Sequence, residues 1–80
     1  MIMIDVLVPP LDEAFDVETD ESVFLEEFVF KLKRIIESIR NVSFGRRDSM
    51  LFSINKAEFV KNDQSFKAQG ITNGERMVLV

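Results

Sequence analysis

The sequence predicts an α+β roll in which a mixed sheet of four to five strands packs on one long helix. Three observations lead to this prediction. An apolar run at the start stops at two prolines, residues 23–39 repeat apolar side chains every three or four positions, and a short apolar run follows an Asn-Gly turn near the end. Eighty residues suit one domain, so residues 1–80 are treated as a single unit.

The first two strands are predicted to form a hairpin. The run over residues 1–8 is apolar apart from one acid and stops at Pro9 and Pro10, which cannot donate to a β-ladder. Residues 15–18 then alternate apolar and acidic side chains, which is typical of a half-buried strand with an acidic outer face. Acids on such an edge strand discourage pairing with other chains.

One long helix is predicted over Val23–Ile39, with Asp20 or Ser22 as the capping residue. Acidic residues fall early in this segment and basic residues late, which suits the helix dipole. The apolar positions form a stripe that we expect to face the sheet: Leu25, Phe28, Val29, Leu32, Ile35, Ile36 and Ile39.

The second half of the chain is predicted to return as two short strands and a final strand. A loop over 41–49 leads to a strand over 50–54, in which Met50, Phe52 and Ile54 share one face, and a short strand follows over 58–60. Phe66 and Ile71 anchor the polar stretch that comes next.

The last strand, 76–80, follows the turn at Asn73 and Gly74, with Met77 and Leu79 directed inward. A right-handed crossover then places the first and last strands side by side and parallel at the sheet centre.

Composition excludes several function classes. The chain has no cysteine and no histidine, so disulfides, zinc clusters and thiol nucleophiles are ruled out. The net charge is −4, with nine acids and no base in residues 1–30, which argues against general nucleic-acid binding. No apolar stretch approaches a membrane span and no leader peptide is recognisable, so we expect a soluble protein without direct membrane insertion.

At its C-terminal end the chain resembles the ubiquitin-like β-grasp fold, and within it the YukD-like (EsaB-like) proteins of type VII secretion. The sequence Gly-Ile-Thr-Asn-Gly-Glu-Arg-Met-Val-Leu-Val over residues 70–80 is similar to that family's closing turn and strand, and residues 54–60 are similar to its preceding hairpin. The resemblance implies a small cytoplasmic accessory or regulatory component of a bacterial secretion apparatus. A membrane component of that apparatus would then be its protein partner.

Conjugation to other proteins is not expected, because ubiquitin-like modifiers need a flexible Gly-Gly tail and this sequence stops on Val80 inside a strand. The alternative to a secretion component is a self-associating structural β-grasp protein, a homodimer, unrelated to secretion.

The outer face of the sheet is the first candidate site. Strand alternation predicts that five apolar side chains point away from the helix: Met3, Leu7, Leu51, Val78 and Val80. Neighbouring apolar side chains on a small domain are typical of a protein-binding surface. The alternative is a set of scattered exposed residues with no partner, or a contact between copies of the chain.

Phe30 is the second candidate, because it lies about 160° from the centre of the apolar stripe on a helical projection. We expect it to be exposed and surrounded by charged residues: Glu26, Lys33, Arg34 and Glu37. A partner could dock on it. Alternatively it packs under the loop over 41–49 or on the stems of long charged side chains.

Two weaker patterns favour no site. Asp16, Glu18, Asp20 and Glu27 match the ligand spacing of a calcium loop, but Glu21 replaces the glycine that its turn needs, so no metal or cofactor is expected.

The pair Arg46 and Arg47 could meet an acidic partner, phosphate or nucleic acid, although a basic pair in a loop is usually only solvated. We expect no catalytic residues, since without histidine or cysteine a serine would need a lysine base in a cleft.

Overall fold

The structure is a computed structural model that describes residues 1–45 and 49–80. It contains five strands, one α-helix and two short 3-10 helices. The strands are β1 (Ile2–Val8), β2 (Glu13–Thr19), β3 (Leu51–Ser53), β4 (Glu58–Phe59) and β5 (Arg76–Leu79); the helix α1 spans Leu25–Arg40, and the 3-10 helices span Pro9–Leu11 and Lys67–Gln69.

The five strands form one mixed sheet in the order β2-β1-β5-β3-β4. β1 is antiparallel to β2 and parallel to β5, and β3 is antiparallel to both β5 and β4. The predicted roll is therefore confirmed, with the first and last strands as neighbours at the centre of the sheet.

The core lies between the sheet and α1. Alternate residues of β1 face it, from Ile2 to Val8, as do Met77 and Leu79 of β5. Phe28 of α1 meets the fully buried Phe66 edge to face, with ring centroids 5.0 Å apart. Such aromatic pairs add to the stabilisation from burial alone.

The helix stripe is narrower than predicted. Ile35 and Ile39 were expected in the core but each is 53% exposed, whereas Ile36 is fully buried. Successive helical residues are about 100° apart, so in the last turns the core covers the Ile36 side of α1 and leaves the Ile35 side outside it.

The helix also begins differently from the prediction. Phe24 occupies the N-cap position and makes no side-chain cap, so neither Asp20 nor Ser22 caps the helix. Instead the backbone N–H groups of Leu25 and Glu26 donate to the carbonyls of residues 64 and 62, each at 3.0 Å. A loop distant in sequence therefore satisfies donors that a capping side chain usually satisfies.

Asp20 stabilises the turn that precedes the helix. Its carboxylate accepts hydrogen bonds from the backbone N–H of Ser22 at 2.9 Å and from the Ser22 hydroxyl at 2.8 Å. These two bonds, the backbone one first, lower the pKa of Asp20 from its ordinary value of 3.8.

Replacing Asp20 should therefore have a pH-dependent effect on stability. A pKa that is depressed in the folded state gives stabilisation above the ordinary carboxyl pKa, and that stabilisation is lost as the pH falls through the folded value. We expect Asp20→Ala to lower the urea midpoint at neutral pH, and the gap from wild type to close below pH 3.8. Asp20→Asn keeps an acceptor oxygen and should recover part of the loss at neutral pH. A gap that persists or widens in acid would contradict this role.

One ion pair joins the end of α1 to the start of β2. Nε of Arg40 lies 2.6 Å from Oε2 of Glu13, and the guanidinium sits 5.5 Å from the ring centre of Phe15. The hydrogen bond to Glu13, together with its charge, raises the pKa of Arg40. Both partners are partly exposed, so the contact orients the two elements and adds little stability.

The turn before β5 is fixed by a buried carboxylate. Glu75 is 8% exposed, and its side chain accepts from the Thr72 N–H at 2.7 Å and from the Ser53 hydroxyl at 3.4 Å. Gly74 adopts a φ of 87°, which favours glycine, and its N–H donates to the Met3 carbonyl at 2.7 Å. This turn therefore positions β5 against β1.

Candidate interaction surface on the sheet

The outer face of the sheet, away from α1, carries a line of apolar side chains that crosses all five strands. The strand register places Leu7 opposite both Ala14 and Val78, and Phe52 opposite both Val78 and Phe59. We refer to these five residues as the apolar row. Adjacent strands lie about 4.8 Å apart, so the row spans about 19 Å.

Aromatic side chains form one end of the apolar row. The rings of Phe52 and Phe59 meet edge to face with centroids 5.2 Å apart, and Phe59 remains 50% exposed. At the other strands Leu7 is 37% exposed and Val78 is partly exposed. Half-exposed aromatic residues next to aliphatic ones are typical of the centre of a protein-binding surface.

The two sides of the apolar row differ in polarity. On one side Asp5 pairs with Arg76, Nε to Oδ2 at 3.3 Å, and lies opposite Asp16 of β2. On the other side Val80 and Met50 exchange two backbone hydrogen bonds of 2.9 and 3.1 Å, and both side chains are exposed. The row is thus bordered by charge on one side and by further apolar surface on the other.

The structure brings together three of the five residues predicted for this face. Leu7 and Val78 are neighbours in the apolar row, and Val80 borders it. Met3 is on the same face and 38% exposed, but the pair of Asp5 and Arg76 separates it from Leu7 along the strand.

The prediction for Leu51 is wrong. Leu51 is completely buried, because it lies opposite the inward-facing Leu79 of β5. Ser53, two positions on, is buried as well and finds a partner there in Glu75. The alternation of β3 is therefore the reverse of the predicted one.

Reversing β3 places Phe52 on the outer face, and both Phe52 and Phe59 were missing from the predicted surface. A signal for them does exist in the sequence. Positions 52 and 59 are equally distant from the predicted turn at Asn55 and Lys56, so a tight hairpin brings them opposite each other.

Phe30 lies on the opposite layer of the molecule, on α1. It is 61% exposed, and the guanidinium of Arg34 lies 5.6 Å from its ring centre. The predicted charged neighbours do line the same surface hollow: Glu26, Lys33, Arg34 and Glu37. Val42 and Phe44, from the loop that follows the helix, pack partly on the core.

The remaining predicted patterns form no site in the described part of the chain. Residues 1–45 and 49–80 hold no cluster of acidic side chains that could bind a metal ion, and the four acids with calcium-loop spacing are included in that search. Across the same residues no helix has the length and apolarity that crossing a bilayer requires. The Arg46 and Arg47 pair lies outside the described residues.

Comparison with solved structures identifies the fold. The ubiquitin-like domain of EccD5 from Mycobacterium xenopi superposes with a TM-score of 0.77 at 16% identity, covering 99% of this chain and 91% of that one. The ubiquitin-like domain of the type VII secretion system protein EccD1 of Mycobacterium tuberculosis gives 0.71 at 14% identity, covering 100% and 99%.

The ubiquitin-like domain of Dsk2 from Plasmodium falciparum gives 0.64 at 20% identity, covering 99% of this chain and 95% of that one. No family profile and no curated protein matches the sequence. At these identities the similarity establishes the fold.

Proposed function

We propose that this ubiquitin-like β-grasp domain is a non-catalytic protein-interaction module that binds its partner through the apolar row. The observation that carries the proposal is the register. Five apolar side chains from five strands fall on one line across an open sheet face, with exposed aromatic rings at one end. Such a line offers a partner a continuous surface to desolvate.

The same proposal assigns the domain to bacterial type VII secretion, as a YukD-like cytoplasmic accessory component. Two solved structures with this fold are ubiquitin-like domains of EccD proteins, and one of them is described as part of a type VII secretion system. The closing turn and strand over residues 70–80 support the same assignment through their resemblance to YukD-like proteins. Its partner would be a membrane component of that apparatus, bound non-covalently.

Self-association through the apolar row is the competing use of this surface. The charged border of the row holds two acids, Asp5 and Asp16, and one base, Arg76, so it is negative overall, and a homodimer of this kind can bring two such borders together. Like charges facing each other weaken association. The charge distribution therefore favours a different protein as the occupant of the row.

The test is co-purification from cells that contain the type VII apparatus, with the bound proteins identified by mass spectrometry. The wild-type chain should enrich membrane components of the apparatus. Phe59→Asp should reduce that enrichment by about tenfold or more, because a charge at the aromatic end of the row removes one of its two aromatic anchors. Leu7→Asp should have the same effect, because Leu7 lies in the half of the row opposite Phe59.

Phe30→Asp is the matched control, since it adds the same charge at an exposed phenylalanine on the opposite layer. It should leave the enrichment unchanged. Equal capture by Phe59→Asp and wild type, or loss of capture only in Phe30→Asp, would reject the apolar row as the binding surface. A stable dimer of the pure wild-type protein in sedimentation, dissociated by Phe59→Asp, would favour self-association instead.

A further inference from the structure

Hydrogen bonds along β1 establish which backbone groups of the neighbouring strands are occupied. The Asp5 N–H donates to the Glu75 carbonyl at 3.0 Å, so the backbone of Asp5 is directed toward β5. The Met3 N–H donates to Oδ1 of Asn73 at 2.7 Å, and its carbonyl accepts from Gly74 on that same side. The backbone N–H and C=O groups of the odd-numbered residues of β1 are therefore directed toward β5. Those of the even-numbered residues are directed toward β2.

The register then identifies the free groups of β2. Ile4 lies opposite Val17 and Val6 lies opposite Phe15, so the backbone groups of Val17 and Phe15 are directed at β1. The residues that alternate with them along β2 direct their backbone N–H and C=O groups away from the sheet. No other strand of the described residues pairs with this edge. The outward N–H and C=O groups belong to Ala14, Asp16 and Glu18.

The side chains along this edge alternate in chemistry. Asp16 and Glu18 are exposed on the outer face, and neither forms an ion pair among the described residues, in contrast to Glu13, which pairs with Arg40. Phe15 and Val17 are half-buried on the helix side. An added strand would thus meet two unpaired acids on one face and two apolar side chains on the other.

We propose that the free edge of β2 binds an extended segment of another protein in which lysine or arginine alternates with apolar residues. Backbone groups of Ala14, Asp16 and Glu18 would continue the sheet into this segment, as in other cases of β-strand addition. Basic side chains then lie beside Asp16 and Glu18, about 5 Å away, and apolar ones beside Phe15 and Val17.

Charge decides against a second copy of β2 as the occupant. Pairing β2 with itself would place unpaired acids of the two chains next to each other, which is destabilising for directly opposed like charges. A basic segment turns the same acids into attractive partners. The site shares only Ala14 with the apolar row and uses the backbone of that residue rather than its side chain, so its test is independent of the proposed function.

The experiment uses the ¹⁵N-labelled full chain and a synthetic peptide in which lysine and valine alternate over seven residues. In the free protein the amide hydrogens of Ala14, Asp16 and Glu18 should exchange rapidly with solvent, whereas those of Phe15 and Val17 are protected. Adding the peptide should slow exchange at the first three residues and leave the other two unchanged. No added protection at saturating peptide would overturn the proposal.

Two further measurements separate strand addition from simple charge attraction. Peptides N-methylated at one alternate set of positions should lose binding, while methylation of the other set is tolerated, because only one set of N–H groups faces β2. Equal binding of both methylated peptides would overturn the proposal. This arm leaves the protein itself unaltered.

The double variant Asp16→Lys with Glu18→Lys should bind the basic peptide about tenfold more weakly, since two attractive cross-strand pairs become repulsive. It should bind a glutamate–valine peptide more tightly than wild type does. Glu58→Lys with Asp63→Lys, which makes the same charge change at two exposed positions outside β2, is the control and should change affinity by less than about twofold. Equal weakening by the double variant at positions 58 and 63 would show that only net charge matters and would overturn the proposal.

Discussion

Leu51→Asp is expected to abolish the folded state, whereas Val80→Asp is expected to leave it intact. Leu51 is completely buried opposite Leu79, while the side chain of Val80 is 53% exposed at the end of the same sheet. Removing a buried leucine side chain costs about 2–5 kcal/mol, and a buried unpaired carboxylate costs more. A single core of this size supplies only about 3–5 kcal/mol, so the variant should lack a stable fold.

The far-UV circular dichroism spectrum is the appropriate measurement, because the chain has no tryptophan or tyrosine to report unfolding by fluorescence. Val80→Asp should show the wild-type spectrum and a cooperative urea transition. A cooperative transition of Leu51→Asp near the wild-type midpoint would mean that Leu51 faces solvent and that β3 has the alternation first predicted from sequence.

Phe66→Ala is the second substitution with a large expected effect. Phe66 is completely buried, its ring packs against Phe28, and its backbone carbonyl accepts hydrogen bonds from Gln69 and Ile71. Truncating a buried phenylalanine to alanine costs about 3–5 kcal/mol, so we expect the loss of most of the free energy of unfolding. Urea unfolding followed by circular dichroism measures it.

Phe30→Ala is the matched control for Phe66→Ala. Its ring is 61% exposed and has the Arg34 guanidinium as a neighbour, so its removal should cost no more than about 1 kcal/mol. Similar losses for the two phenylalanines would show that the loop over residues 60–71 contributes little to the core.

The sequence predicts the strand faces correctly where a charge marks them. Asp5 in β1 and Arg76 in β5 cannot be buried without partners, so they identify the outer face, and the residues next to them must face the core. The residues from Met50 to Ile54 contain no charge, and apolar side chains occupy both alternations. Pattern alone therefore could not decide which face of β3 is buried.

Long-range pairing decided the orientation of β3. From its polarity Ser53 is expected to face solvent. It is buried nevertheless, because its hydroxyl donates a hydrogen bond to Glu75, 22 positions later. That error removed Phe52 and Phe59 from the predicted surface, while Leu7, Val78 and Val80 were placed correctly. The helix was predicted from the local spacing of its apolar residues. Its N-terminus was not predicted correctly, because carbonyls of a loop distant in sequence accept hydrogen bonds from its first backbone N–H groups.

The pairing of β1 with β5 constrains the order of events during biosynthesis. The two central strands come from opposite ends of the chain, and the contact between Met3 and Asn73 joins residues 70 positions apart. A ribosome therefore releases the hairpin of β1 and β2 long before the strand that completes the sheet exists. High contact order of this kind slows folding, and the half-made domain exposes the apolar face of β1 to chaperones until β5 has been synthesised.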